Sequence, residues 1–126
     1  MNGGTLLLRQ VNPAWVQSGR VTSQVFRPTP KDQRRLSVYD GDQITALEAW
    51  RHFTETLGYT SVGVLGVSVD ECRSLRLDAE PDPGPFPEHA VIAFGELNNT
   101  QIEKKAKQLR GFAQARGWQY HAEADA

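Results

Sequence analysis

The sequence predicts an α+β (mixed α/β) domain: about five short strands in one sheet, with two main helices, about 45–57 and 100–116, packed on it. Three observations carry this reading. Leu47, Trp50, Phe53 and Leu57 recur at helical spacing, as do Ile102, Ala106, Leu109, Phe112 and Ala113. Around them stand short apolar or alternating runs, at 5–11, 20–26, 36–39, 60–68 and 89–94, each bounded by turn residues and too short for a helix. A length of 126 residues suits one core and not two, so residues 1–126 are expected to form a single domain.

Taken in order, the run 5–11 reads as a strand stopped by Asn12-Pro13, with Arg9 near its end. One turn of helix is expected over 14–17, with Trp15 as a core anchor and Ser18-Gly19 as the turn that closes it. From Arg20 onward Val21, Ser23 and Val25 alternate with Thr22, Gln24 and Phe26, which predicts a strand ending near Arg27, because Pro28 and Pro30 cannot donate to a ladder. The chain then loops out to Arg35 and resumes extended structure over 36–39 before the Asp40-Gly41-Asp42 turn. Residues 19–42 therefore read as two short strands presenting a cationic loop.

Thr45 and Glu48 fit a capping box, which opens the first helix, and Gly58 is its natural left-handed stop. The Val-rich 60–68 suits a buried central strand. Ser68 and Glu71 form a second capping box, starting a short helix near 69–75. Pro81, Pro83, Pro85 and Pro87 enforce an extended loop over 78–88 belonging to neither helix nor sheet. Thr100 with Glu103 is read as a third capping box, and Gly117 as the end of the long helix. A last short strand is expected at 118–120, then a frayed tail over 121–126.

Composition bounds the function classes. A net charge of -1 supplies no overall attraction to nucleic acid or anionic membrane. The longest apolar run, 62–67, is far below the roughly 20 residues that span a bilayer, and the first residues lack the pattern of a signal peptide, so a cytoplasmic protein is expected. Cys72 is the only cysteine, which excludes an intrachain disulfide; inside a predicted helix it reads as a small buried apolar residue.

Charge is unevenly placed. Arg20, Arg27, Lys31, Arg34 and Arg35 stand against Asp32 alone, whereas 70–88 holds six acids and two arginines. Such a split suits a homodimer through oppositely charged loops, an internal clasp between the loops, or an anionic ligand at the first; ordinary solvated surface is the plain alternative. Arg20, Ser23, Arg27, Lys31 and Ser37 are the ligand-binding candidates, being cations and hydroxyls of the kind that hold phosphate oxygens, although no glycine-rich cradle accompanies them. Phe26 and Tyr39 would be the stacking residues of a nucleic-acid surface, but both fit as core.

His89 stands where the proline loop meets a strand, a position suited to a general acid or base, and with Arg9 and Tyr39 it makes up the catalytic candidates. His52 reads as helix surface and His121 lies near an end. No His or Cys spacing suits a metal, and no cofactor motif is present.

The segment Gly19-Arg20-Val21-Thr22-Ser23-Gln24-Val25-Phe26-Arg27-Pro28-Thr29-Pro30-Lys31-Asp32, followed by Leu36-Ser37-Val38-Tyr39-Asp40-Gly41-Asp42, resembles a segment of small bacterial proteins of uncharacterised function. The resemblance extends through Phe86-Pro87-Glu88-His89-Ala90-Val91-Ile92 and Ile102-Glu103-Lys104-Lys105-Ala106-Lys107; it implies a bacterial source and no particular activity. In the order Arg9, Ser37 or Tyr39, then Glu96, the chain is also loosely similar to small toxin domains of the ADP-ribosyltransferase type, which implies a dinucleotide site. The leading expectation is a binding or accessory module that engages a protein partner or an anionic ligand through the 20–39 surface, with 78–88 as one wall. Its competitor is a small enzyme acting on a nucleotide or dinucleotide, with Arg9, Tyr39 and His89 meeting in a cleft.

Overall fold

Alternating side chains along the central strands dictate a sheet with two faces, and both carry apolar residues. The computed structural model describes residues 1–29, 31 and 33–122. Its strands are β1 (Leu6–Gln10), β2 (Val16–Gln17), β3 (Arg20–Val21), β4 (Arg35–Asp40), β5 (Gly63–Ser68), β6 (Asp78–Pro81), β7 (His89–Ala93) and β8 (Tyr120–His121). Six of them form one antiparallel sheet in the order β6-β7-β4-β1-β5-β8, and β2 and β3 make a separate hairpin. Positive φ at Ser18 (51°) and Gly19 (76°) gives that hairpin the turn its twist requires.

One face of the sheet presents Leu7, Val11, Leu36, Val38, Leu65, Val67, Ala90 and Ile92 to the main core. Two helices close it: α2 (Val69–Ser74), through Val69 and Cys72, and α3 (Asn99–Arg116), through Ile102, Ala106, Leu109 and Ala113. The other face presents Leu8, Tyr39 and Val64 to α1 (Ala46–Arg51) and the turn after it, with Phe86 reaching over from the opposite side. The α+β class is thus as expected, with more strands than the five read from sequence.

Several expectations need correction. Ser23–Phe26 is a 3-10 turn and not a strand, since Val25 and Phe26 are adjacent in sequence yet both buried in the same core, whereas a strand would send them to opposite faces. Pro13–Trp15 is likewise a 3-10 turn, and Val16 and Gln17 already belong to β2. The proline segment is not all loop: Asp78–Pro81 pairs with β7 as an edge strand, where Pro81, last in the strand, is tolerated. The first helix keeps its Thr45–Glu48 capping box but is regular only to Arg51, and His52–Thr56 widens into a π turn. There the Thr54 hydroxyl donates to the Trp50 carbonyl at 2.9 Å, a back-bond that competes with the helical ladder. The long helix is capped by Asn98 with Gln101, not by Thr100 with Glu103. His121 belongs to β8, while the expected frayed tail beyond Ala122 lies outside the described residues, as do Pro30 and Asp32 in the cationic loop.

The second capping box is in place and has an added partner. Glu71 accepts from the Ser68 main-chain N–H at 2.8 Å and from Arg116 Nη1 at 2.8 Å, tying α2 to the end of α3. Burial pushes the Glu71 carboxyl up, but these donors outweigh it and hold it below the usual carboxylate range. A carboxyl whose folded value is depressed adds stability above the unfolded value and loses it as pH falls through the folded one. Glu71→Gln is therefore expected to cost about 1–2 kcal/mol at neutral pH. The difference from wild type should narrow as the pH is lowered below the ordinary carboxylate range, as read from urea midpoints at neutral and acid pH. Cys72 is fully buried, and burial, assisted by Glu71, pushes its thiol up to about 12, so it remains protonated and inert.

Candidate functional site

The cavity that concerns function exists because the sheet parts between β1 and β4. These strands pair only at Leu7 with Asp40 and Leu8 with Tyr39. Beyond that point Arg9 takes over the hydrogen bonding: its Nη1 donates to the Ser37 carbonyl at 2.9 Å and its Nε to the Val25 carbonyl at 2.8 Å, with the guanidinium 5.0 Å from the Trp15 ring centroid. The parted strands floor a cavity of about 250 Å³, with Leu8, Gln10, Ser37 and Tyr39 below, Phe53, Leu57 and Tyr59 on the π-turn side, and Pro85, Phe86 and His89 opposite. Leu57, expected on the apolar stripe of the first helix, stands at this rim 40% exposed, with Tyr59 beside it 61% exposed.

The polar groups of the site follow from strand register. Asp82 continues the β6–β7 ladder, its main-chain N–H donating to the His89 carbonyl at 2.9 Å. Tyr39 lies opposite His89 and Ser37 opposite Val91, so His89 and Ser37 are diagonal neighbours on one face. His89 Nε2 lies 3.1 Å from Ser37 Oγ. His89 Nδ1 lies 2.8 Å from the Asp82 carbonyl oxygen and 3.3 Å from Asp82 Oδ2. Both are acceptors, so the ring carries its proton on Nδ1 and offers the Nε2 lone pair to the Ser37 hydroxyl. His89 is 8% exposed, whereas Ser37 is open to solvent.

Tyr39 bonds through its hydroxyl to His52 Nδ1 at 2.7 Å, and its ring packs on Phe86 at 5.1 Å. Burial, with the Glu88 carboxylate nearby, holds this phenol well above its ordinary range, so it stays neutral in its bond to His52. Gln10 is the exception. It is 5% exposed, and neither Nε2 nor Oε1 has a hydrogen-bond partner among the described residues.

The catalytic candidates Arg9, Tyr39 and His89 all line this cavity. The ligand-binding candidates do not gather at one place. Ser37 belongs to the cavity, and with Lys31, Gln33, Arg35, Asp82 and His89 it also lines a shallow hollow beside it. Ser23 donates to Glu103 Oε1 at 2.7 Å, and Arg27 Nε lies 3.0 Å from Glu103 Oε2, a charge contact without hydrogen-bond alignment. Both are thus held by α3. Arg20 lines a separate hollow with Arg110 and Gln114. Glu96 is exposed in the turn after β7, away from the residues that line the cavity. Between the oppositely charged segments, Arg35 and Glu80 approach to 4.0 Å across exposed surface.

Sequence reasoning passed over Gln10 and Asp82. The signal for Gln10 was a polar residue two places after Leu8 in an apolar strand, hence on the same face. Asp82 carried no signal, since it sits among prolines that hide the strand pairing. Among the described residues no group of three His, Cys, Asp or Glu side chains is placed to hold a metal ion, and no helix is long and apolar enough to cross a membrane. Compared with known proteins, the chain matches no family model, no curated protein and no solved structure.

Proposed function

We propose that the chain is a binding module for a small neutral molecule that enters the cavity between β1 and β4, with residues 37–39 as part of its floor. The observation that carries this reading is Gln10, which borders a cavity with largely aromatic and aliphatic walls and whose carboxamide is buried with no hydrogen-bond partner among the described residues. A buried amide left unpaired costs about 1–3 kcal/mol, so a native chain keeps one where something else completes it. A carboxamide offers one donor and one acceptor side by side. Its complement is a carbonyl next to an N–H on the same edge, as in a primary carboxamide or a lactam. Phe53, Tyr59 and Phe86 suit a flat, apolar body behind that edge.

Benzamide and 2-pyridone are suitable probes, followed by the shifts of the Gln10 side-chain and neighbouring amide resonances. Gln10→Leu, which keeps the volume and removes the orphaned amide, is expected to abolish these shifts while raising stability by about 1–2 kcal/mol. Unchanged binding in Gln10→Leu, or a variant less stable than wild type, would count against the proposal.

A further inference from the structure

We infer that Ser37 is a nucleophile and that the chain hydrolyses the amide its cavity holds, an inference that rests on that cavity being a ligand site. Four polar side chains stand on one face of four neighbouring strands: Asp82 at the end of β6, His89 on β7, Ser37 on β4 and Gln10 on β1. The first three are joined in the order orienting group, base, hydroxyl, with His89 Nδ1 3.3 Å from Asp82 Oδ2 and His89 Nε2 3.1 Å from Ser37 Oγ. The tautomer is the productive one, because both atoms facing Nδ1 are acceptors. The base is shielded from water while the hydroxyl is open to the cavity, the disposition a serine nucleophile requires.

Gln10 supplies the remaining group. It borders the same cavity as Ser37, and its Nε2, buried and without a hydrogen-bond partner among the described residues, is the donor we assign to the oxygen of a carbonyl under attack. Ser37 Oγ bonds to the carbonyl carbon as its proton passes to His89 Nε2. The C–N bond then breaks, and the leaving nitrogen takes that proton. Water attacks the acyl-serine in turn, giving its proton to His89, and the ester bond to Ser37 breaks to release a carboxylic acid while the hydroxyl regains the proton. Amide and water become acid and amine, with no other reactant.

Asp82 is a positioning residue. The main-chain carbonyl of the same residue also holds Nδ1, at 2.8 Å, so loss of the carboxylate should leave the tautomer in place.

The test is labelling of the full chain with a fluorophosphonate, in which the serine oxygen displaces fluoride from phosphorus, and location of the adduct by mass spectrometry. The adduct is expected on Ser37 and absent from Ser37→Ala, an exposed substitution that should leave the fold in place, as read from its urea midpoint. His89→Gln should slow labelling about 100-fold or more. Asp82→Asn should lower the limiting rate of labelling without changing the probe concentration that half-saturates it, a split that general loosening of the fold would not produce. Benzamide bound with no adduct on Ser37 would overturn the nucleophile and leave the binding module standing. An absence of both would overturn both readings, and equal labelling of Ser37→Ala would place the reactive group elsewhere and overturn the inference.

Discussion

Phe26→Ala is expected to lower the free energy of unfolding by about 3–5 kcal/mol, a large share of the stability of a domain of this size. Phe26 is fully buried in the main core, and it reaches that core from a 3-10 turn and not from a strand of the sheet. The turn Ser23–Phe26 has no ladder to hold it. It is fixed by the burial of Val25 and Phe26 against the core that α3 closes, by Arg9 on the Val25 carbonyl and by Ser23 on Glu103. Removing the ring leaves a void that a close-packed interior cannot readily refill. Phe26→Leu, which keeps most of the volume, should cost under about 1.5 kcal/mol. Urea midpoints at constant slope measure both; a loss below 1 kcal/mol for Phe26→Ala would mean that the turn is not part of the core.

Arg9→Ala carries the second large effect, about 2–4 kcal/mol, and it should also weaken ligand binding. Where β1 and β4 part, the guanidinium donates to the main-chain carbonyls of Ser37 and Val25 and lies over the Trp15 ring. Truncation removes two charge-assisted hydrogen bonds and leaves those carbonyls without this donor. The consequence reaches the cavity, because the strand gap that Arg9 props open is its floor. Arg9→Lys should not restore stability, since a compact ammonium lacks the planar fork that spans both carbonyls. Thermal unfolding of the three proteins, with benzamide titrations on each, tests both parts. Rescue by lysine would show that charge alone matters at this position.

Much of the architecture was legible because it rests on local chemistry. The Thr45–Glu48 and Ser68–Glu71 capping boxes are present as read, and Gly58 and Gly117 take the positive φ (77° and 90°) expected at helix ends. The readings failed where neighbours far along the chain decide. Alternation over 20–26 matched a strand, but burial of two consecutive residues, Val25 and Phe26, in one and the same core requires a turn. Two capping boxes overlapped at the start of α3. Asn98 with Gln101 prevails, and Glu103, the acid of the other, faces Ser23 and Arg27. Alternate prolines argued against sheet structure over 78–88, yet an edge position removes the objection at Pro81.

The candidate site divides along the same line. His89 and Tyr39 stood out as residue types at suggestive places, and both line the cavity. Ser37 was singled out only as one hydroxyl among several and Asp82 not at all, and what brings Ser37, Asp82 and Gln10 to that face is strand order and register.

By itself the sequence determined the helix starts at Thr45 and Ser68, the glycine stops and most of the apolar stripes, because capping, turn chemistry and apolar periodicity act over a few neighbouring residues. Only the tertiary structure decided that β1 and β4 part around Arg9, that Gln10 is buried without a partner among the described residues, and that Asp82, His89 and Ser37 fall in line. Those outcomes depend on pairing between strands tens of residues apart, and pairing follows the packing of the whole sheet.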